Sequence, residues 1–230
     1  MRLSGFQKLT LLDYPGTMAC TVFTGGCNLR CPFCHNASLV LPGDETTLEV
    51  SDFLDFLKKR QGILEGVAIT GGEPLLHADM PAFLEQIKAL GYKIKLDTNG
   101  TKPELLKQCV SNGLVDRVAM DIKNAPEHYP ETVGLPVVDM DAIAASKDFL
   151  LQGHIAYEFR TTVVKGLHTQ DRLVSLAQWI RGAKEYYLQQ FKDSGNLLAA
   201  DGLGAFDAAE MRALADAVRP YVPVVAVRGI

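Results

Sequence analysis

The sequence has no apolar run approaching the roughly 20 residues that a membrane-spanning helix needs. It has no basic tract either. Lys and Arg total 23 against 27 Asp and Glu, a formal charge of −4, which argues against nucleic acid or an anionic membrane surface as the main partner. Repeats, low-complexity segments and dividing linkers are absent, so a single domain spanning 1–230 is expected. The N-terminal stretch is interrupted by Gly5, Asp13 and Pro15, unlike a signal peptide, and cytoplasm is the expected compartment. Cysteine is scarce and unevenly placed: there are five, and three of them crowd into Cys27–Cys34. An odd count in a chain of this length is unlike a secreted disulfide framework and points to metal binding in a reducing environment.

What recurs is a strand-like run followed by a helix-like run. The strand candidates are Met18–Thr24, Gly66–Thr70, Tyr92–Asp97, Val115–Ile122, Ile155–Val164, Glu185–Gln190 and Val222–Val227. Most are short, apolar and rich in β-branched residues, the pattern of strands buried on both faces. Between them, Val50, Phe53, Leu54 and Leu57 fall at i, i+3, i+4 and i+7, and Met80, Phe83, Leu84 and Ile87 repeat that spacing, with Pro81 placed for a first turn. Leu173, Leu176, Ala177 and Ile180 do so again. Leu105, Leu106, Cys109 and Val110 make a shorter stripe stopped by Asn112-Gly113. The alternation predicts an α/β fold with a mostly parallel sheet and right-handed crossovers. About six βα units can be counted, whereas a closed barrel has about eight in about 250 residues. An incomplete, laterally open βα barrel is therefore expected, with the segment before Met18 as a short N-terminal extension and Pro223 onward as a closing strand.

The cysteines stand in Cys27-Asn28-Leu29-Arg30-Cys31-Pro32-Phe33-Cys34-His35, directly after the first strand, with Gly25-Gly26 as the turn. Three thiolates this close can grip three corners of an iron–sulfur cube and leave one iron open, the mark of a catalytic rather than a structural metal. The competing reading is zinc, with His35 or a distant His completing a tetrahedron. Zinc ligands more often come as two pairs, and no second pair exists here. Cys20, inside the first strand, and Cys109, on an apolar helix face, read as core residues. His77, His128, His154 and His168 share no spacing and read as surface residues.

The spacing Cys27-x3-Cys31-x2-Cys34, with Phe33 before the last cysteine, resembles the signature of the radical S-adenosylmethionine superfamily. Thr70-Gly71-Gly72-Glu73-Pro74, at the end of the second strand, resembles that family's motif for the methionine amino group. Leu96-Asp97-Thr98-Asn99-Gly100 and Asp121-Ile122-Lys123 look like segments of the glycyl-radical-enzyme activases, and Arg160 is similar to an arginine those enzymes place near the methionine carboxylate. Leu12-Asp13-Tyr14-Pro15-Gly16 leading into Cys20–Cys27 resembles the subgroup that activates anaerobic ribonucleoside-triphosphate reductase.

The resemblance implies one [4Fe–4S] cluster on Cys27, Cys31 and Cys34, because only Ala37–Thr47 separates the motif from the first helix and leaves no room for a ferredoxin-like insert. It also implies bound S-adenosylmethionine, with Phe33 and the neighbouring backbone at His35 against adenine, and the Gly71, Gly72 and Glu73 loop at the amino group. Asp121, Lys123 and Arg160 are implied at ribose or carboxylate. Gln189 stands where some activases have a nucleoside-facing histidine. Asp97 is implied to join Asp121 around a monovalent cation, as in some activases. From the residues alone, Asp121 with Lys123, and Arg160 with Glu158, have a competing reading as plain ion pairs. The implied partners are a glycyl radical enzyme and, as electron donor, flavodoxin or ferredoxin. Two other readings stay open: a small-molecule radical enzyme such as 7-carboxy-7-deazaguanine synthase, and an electron-transfer or structural metal module.

Overall fold

A computed structural model describes residues 1, 3–40, 48–193, 195–199 and 201–230. Its frame is one eight-stranded sheet in the order β1 to β8. The strands are β1 (Leu3–Thr10), β2 (Ala19–Thr24), β3 (Gly66–Gly71), β4 (Lys93–Thr98), β5 (Arg117–Asp121), β6 (Ala156–Val163), β7 (Glu185–Gln190) and β8 (Val224–Arg228). Strands β2 to β8 are parallel, and each expected strand appears within two residues of its anticipated ends. Among the described residues β8 does not pair back to β1, so the barrel stays open along one side. Six crossovers join the seven parallel strands, matching the count of βα units.

The segment before Met18 differs from expectation. It is not a bare extension: β1 pairs antiparallel to β2, from Leu3 opposite Thr24 to Thr10 opposite Ala19. Its sequence, LSGFQKLT, has a glycine and no clean alternation, so period-2 reasoning passes over it; Phe6 nonetheless packs on Phe53 and Phe56 at 5.3 and 4.6 Å between ring centroids.

The helices are α1 (Ala37–Val40), α2 (Val50–Lys58), α3 (Met80–Ala89), α4 (Pro103–Ser111), α5 (Tyr129–Val133), α6 (Met140–Leu151), α7 (Gln170–Trp179) and α8 (Ala208–Val218). In α2, α3, α4 and α7 the residues that bury belong to the anticipated stripes, such as Phe53 and Leu57, or Phe83, Leu84 and Ile87. Helices α6 and α8 were not anticipated. The buried face of α6 includes Ser146 and Lys147, which blur its apolar period, although the Asp139 side chain caps Ala142 N–H. Helix α8 carries a capping box, Asp207 with Glu210, that a search for N-caps alone finds. The expected plain connection from Ala37 to Thr47 falls, for 41–47, outside the described residues.

The expectation of strands apolar on both faces is also corrected. Outward faces are apolar and pack on the helices: Val67 and Ile69, Ile94 and Leu96, Val118 and Met120 are all buried. Burying each such side chain contributes about 1.5–3 kcal/mol. The inward alternates on β3 are small, Ala68 and Thr70, but on β4 to β6 several are charged. They include Lys95 and Asp97 on β4, Arg117 and Asp121 on β5, and Glu158 and Arg160 on β6. The hydrophobic core therefore lies between sheet and helices, and the barrel's interior is built of ion pairs.

Candidate active site

The loop after β2 holds the cysteines. Gly26 turns it with φ +88° and donates to Leu39 O at 2.7 Å, and Arg30 N–H donates to Val133 O at 2.9 Å, which anchors the loop on the end of α5. Gly134 closes α5 in the left-handed region, φ +66°, and a Cβ there would stand 2.3 Å from the Arg30 carbonyl oxygen. No side chain fits between this helix end and the cysteine loop.

The loop after β3 locks against the first. Gly72 N–H donates to Thr24 O at 2.9 Å and Glu73 N–H to Gly26 O at 2.8 Å. Built Cβ atoms on Gly71 and Gly72 would lie 2.4 Å from Thr24 N and 1.9 Å from Gly26 O. The two glycines are thus required by the close approach of the two loops. Glu73, 1 % exposed, spends its carboxylate on protein donors: Leu75 N at 3.0 Å, Thr98 Oγ1 at 2.8 Å and Asn99 N at 2.6 Å. Burial pushes this carboxyl up to about 7, against the pull of those donors.

Inside the barrel the charges form a continuous chain. Lys95 Nζ donates to Asp97 Oδ1, and Arg160 donates to Asp97 Oδ2 at 3.1 Å and, through Nε, to Asp121 Oδ1 at 2.9 Å. Lys123 Nζ completes it on Asp121 Oδ2 at 2.9 Å. Burial alone would raise Asp121, but Arg160 and Lys123 outweigh it and hold the carboxyl well below the usual range. The alternative Arg160–Glu158 pair does not form. Glu158, fully buried, is taken instead by Arg117 at 2.8 Å and by Arg228 at 2.7 and 3.0 Å, while Arg228 also lies 3.5 Å over the Tyr187 ring.

One cavity of about 300 Å³ gathers these groups, at the small end of the range for ligand pockets. Cys27, Cys31, Cys34, Phe33, His35, Gly71, Gly72, Glu73, Asp97, Asp121, Lys123, Arg160 and Gln189 all line it, so every residue singled out in the sequence meets there. The strand ends that converge on it are those where sites in βα barrels gather. Cys20 and Cys109 are fully buried elsewhere in the core.

Several lining or supporting residues were not picked out as site residues. Asp13, which accepts from Thr21 Oγ1 at 2.5 Å, lines the same cavity, and so do Asn99 and Thr162. Asn99 donates to Asn28 Oδ1 at 3.0 Å within the cysteine loop. Asp13 and Asn99 both lay inside motifs noted for resemblance, so the signal was present. The histidines need correcting. His168 is 3 % exposed, accepts from Val164 N–H at 3.1 Å through Nδ1, and so donates through Nε2 to Lys123 O at 2.8 Å. His77 is half-buried on Gly25 O at 3.0 Å and His128 is half-buried as well; of these four only His154 is exposed.

The donor set suits an iron–sulfur cube. Among the described residues no three His, Cys, Asp or Glu side chains converge closely enough to hold a single metal ion, the arrangement a zinc tetrahedron needs. A cube spreads its three thiolates over separate corners. Burial pushes the Cys31 thiol up to about 12 and also raises Cys27, and Lys123 pulls against burial at both, a cation suited to an anionic cluster. The monovalent cation fits less well, since both oxygens of Asp97 and both of Asp121 already face protein cations.

Comparison with known proteins agrees with this geometry. Residues 21–181 match the radical SAM superfamily, and the chain belongs to it. Membership implies S-adenosylmethionine and an iron–sulfur cluster. A protein of Methanocaldococcus jannaschii that bears the name glycyl-radical enzyme activating enzyme is 31% identical over 198 residues, covering 83% of this chain and 80% of its own. The pyruvate formate-lyase-activating enzyme of Listeria monocytogenes is 30% identical over 152 residues, covering 60% of this chain and 61% of its own. The chain is thus a radical SAM enzyme related to the activating enzymes of glycyl-radical enzymes. Among solved structures, Streptococcus suis SuiB bound to S-adenosylmethionine superposes with a TM-score of 0.70 at 16% identity; the match covers 89% of this chain and 48% of that one, and it speaks for the fold alone.

Proposed function

We propose that this chain cleaves S-adenosylmethionine reductively and uses the resulting 5′-deoxyadenosyl radical to generate a glycyl radical on a partner enzyme, anaerobic ribonucleoside-triphosphate reductase. The observation that carries the reading is the single cavity in which three cysteines, a glycine loop and an alternating chain of charges face one another. The coverage of most of the chain by an activating enzyme favours a protein substrate over a small molecule.

Cys27, Cys31 and Cys34 would hold one [4Fe–4S] cluster, leaving one iron for the amino and carboxylate groups of the ligand. When bound and reduced, such a cluster would supply the one electron that opens the S–C5′ bond, giving methionine and the 5′-deoxyadenosyl radical. Gly71 and Gly72 line the cavity and would offer backbone carbonyls to the amino group. Lys123 and Arg160, each already tied to Asp121, offer cationic partners for the carboxylate. Phe33, buried beside the cavity, gives an apolar face for adenine, with His35 next to it and Gln189 across the barrel toward the nucleoside. A hydrogen atom then passes from the partner's glycine Cα to C5′, giving 5′-deoxyadenosine and leaving the radical on glycine. Flavodoxin or ferredoxin would supply the electron.

The test is anaerobic reconstitution with iron and sulfide, dithionite reduction, and measurement of 5′-deoxyadenosine, followed by electron paramagnetic resonance after mixing with anaerobic ribonucleotide reductase. A glycyl doublet is expected. 5′-Deoxyadenosine without a doublet on any glycyl-radical partner would remove the activase role but keep the radical chemistry. No cleavage at all would sink both.

A further inference from the structure

The resemblance to some activases implies a monovalent cation shared by Asp97 and Asp121, but protein cations already face both carboxylates. Asp97 and Asp121 bring two negative charges; Lys95, Arg160 and Lys123 bring three positive ones, and each carboxylate oxygen faces one of them. A free cation would have to displace one of these three protein cations from a carboxylate or stand close to all of them.

Lys95 is the residue that changes the balance. It stands two positions before Asp97 on β4, so both point into the barrel, and it is 1 % exposed while its strand neighbours Ile94 and Leu96 face the core. An ammonium is a single positive charge with several donors, close in character to the alkali cation it would replace. A buried Lys–Asp pair is by itself a weak stabilising device, because desolvating two charges offsets their attraction. The charge Lys95 carries to Asp97 is therefore its distinctive contribution. With Lys95 in place, Arg160 and Lys123, which both line the cavity, are left to face an anion such as a carboxylate.

We propose that Lys95 is a tethered monocation that takes the place of a free sodium or potassium ion, so that this cavity is built and binds its ligand without one. Lys95 is thus a positioning residue: it acts through Asp97 on Arg160.

The experiment uses the full chain in buffers of equal ionic strength made with choline, sodium, potassium or caesium chloride. For the wild type, the unfolding temperature should be the same in all four. Lys95→Met and Lys95→Gln should unfold several degrees lower in choline and recover selectively and saturably with sodium or potassium, as a newly opened cation site requires. Lys93→Met, on the exposed start of the same strand, should show no selectivity. Selective stabilisation of the wild type by sodium or potassium would overturn the proposal, as would Lys95 variants that are destabilised without rescue by either ion. Should the variants not fold, calorimetry on the reconstituted wild type decides: S-adenosylmethionine affinity unchanged between choline and potassium supports the tethered charge, and a requirement for potassium overturns it. The melting arms use no S-adenosylmethionine, so failure of the proposed reaction leaves them interpretable.

Discussion

The Glu73 carboxylate accepts the backbone N–H of Asn99 at 2.6 Å, joining the loop after β3 to the loop after β4. Asn99 in turn donates to Asn28, so the loops after β2, β3 and β4 form one chain. Glu73→Gln turns half of that acceptor into a donor. In one orientation the new amide faces Asn99 N–H; flipped, it faces Leu75 N–H. A buried donor left without a partner costs about 1–3 kcal/mol. The variant is expected to unfold several degrees lower by circular dichroism. An unchanged unfolding temperature would show that the bracket does not hold the loops.

Gly72→Ala tests the approach of the same loops from the steric side. Its Cβ would fall 1.9 Å from Gly26 O, a backbone atom that cannot rotate away. The loops must separate, and the Glu73 N–H bond to Gly26 O, 2.8 Å long, is the first contact to stretch. Overpacking of this kind costs about 1–3 kcal/mol. Gly204→Ala, whose Cβ would make an ordinary 3.6 Å contact with Lys165 Cβ, is the matched control and should be near neutral. Iron and sulfide content after reconstitution should fall for Gly72→Ala alone.

Much of this site was legible because its motifs sit at strand ends, and strand ends follow from short β-branched runs. The parts that were not legible share a physical cause. Lys95 and Arg117 are charged residues on strands read as apolar, and only the barrel's inner face, where Asp97 and Glu158 wait, makes room for them. Partner choice is equally hidden: Glu158 shares a face with Arg160, but Arg117 on the neighbouring β5 and Arg228 on β8 take it instead. β1 escaped notice because its pairing to β2, not its own pattern, makes it a strand. His168 looked like a loop histidine, and its burial depends on Val164 and Lys123 meeting around it.

The cysteines divide into two kinds, and the division can be measured. Cys31→Ala removes one of three thiols from the cavity wall and should abolish cluster assembly and 5′-deoxyadenosine formation. Cys109→Ala, fully buried between α4 and the sheet, should keep the cluster and cost only packing, up to about 1–3 kcal/mol. Iron content and the unfolding temperature separate the two effects. Equal loss of iron in both variants would refute the division.

The ion pairs of Glu158 with Arg117 and Arg228 set an acid limit on stability. Glu158 is fully buried, and desolvation alone would raise its carboxyl; the hydrogen bonds from Arg228 and Arg117 more than offset this and hold it down to about 2, against an ordinary value of 4.5. A carboxyl depressed in the folded state contributes stability that is complete above its unfolded value and is lost as the pH falls from about 4.5 toward 2. The full depression corresponds to roughly 3 kcal/mol, as an order of magnitude. Glu158→Gln cannot titrate, yet it leaves Arg117 and Arg228 against a neutral amide. The variant should therefore be less stable than the wild type at pH 7, and the gap should narrow as the pH drops below 4.5. Urea unfolding at matched ionic strength reads this directly as the difference between the two pH profiles. Other acids, Asp121 among them, titrate in both proteins and largely cancel in that difference. Parallel profiles from pH 7 to pH 3 would mean that the two arginines do not hold Glu158 ionised, and that the inner layer of the barrel is stabilised by packing rather than by its charges.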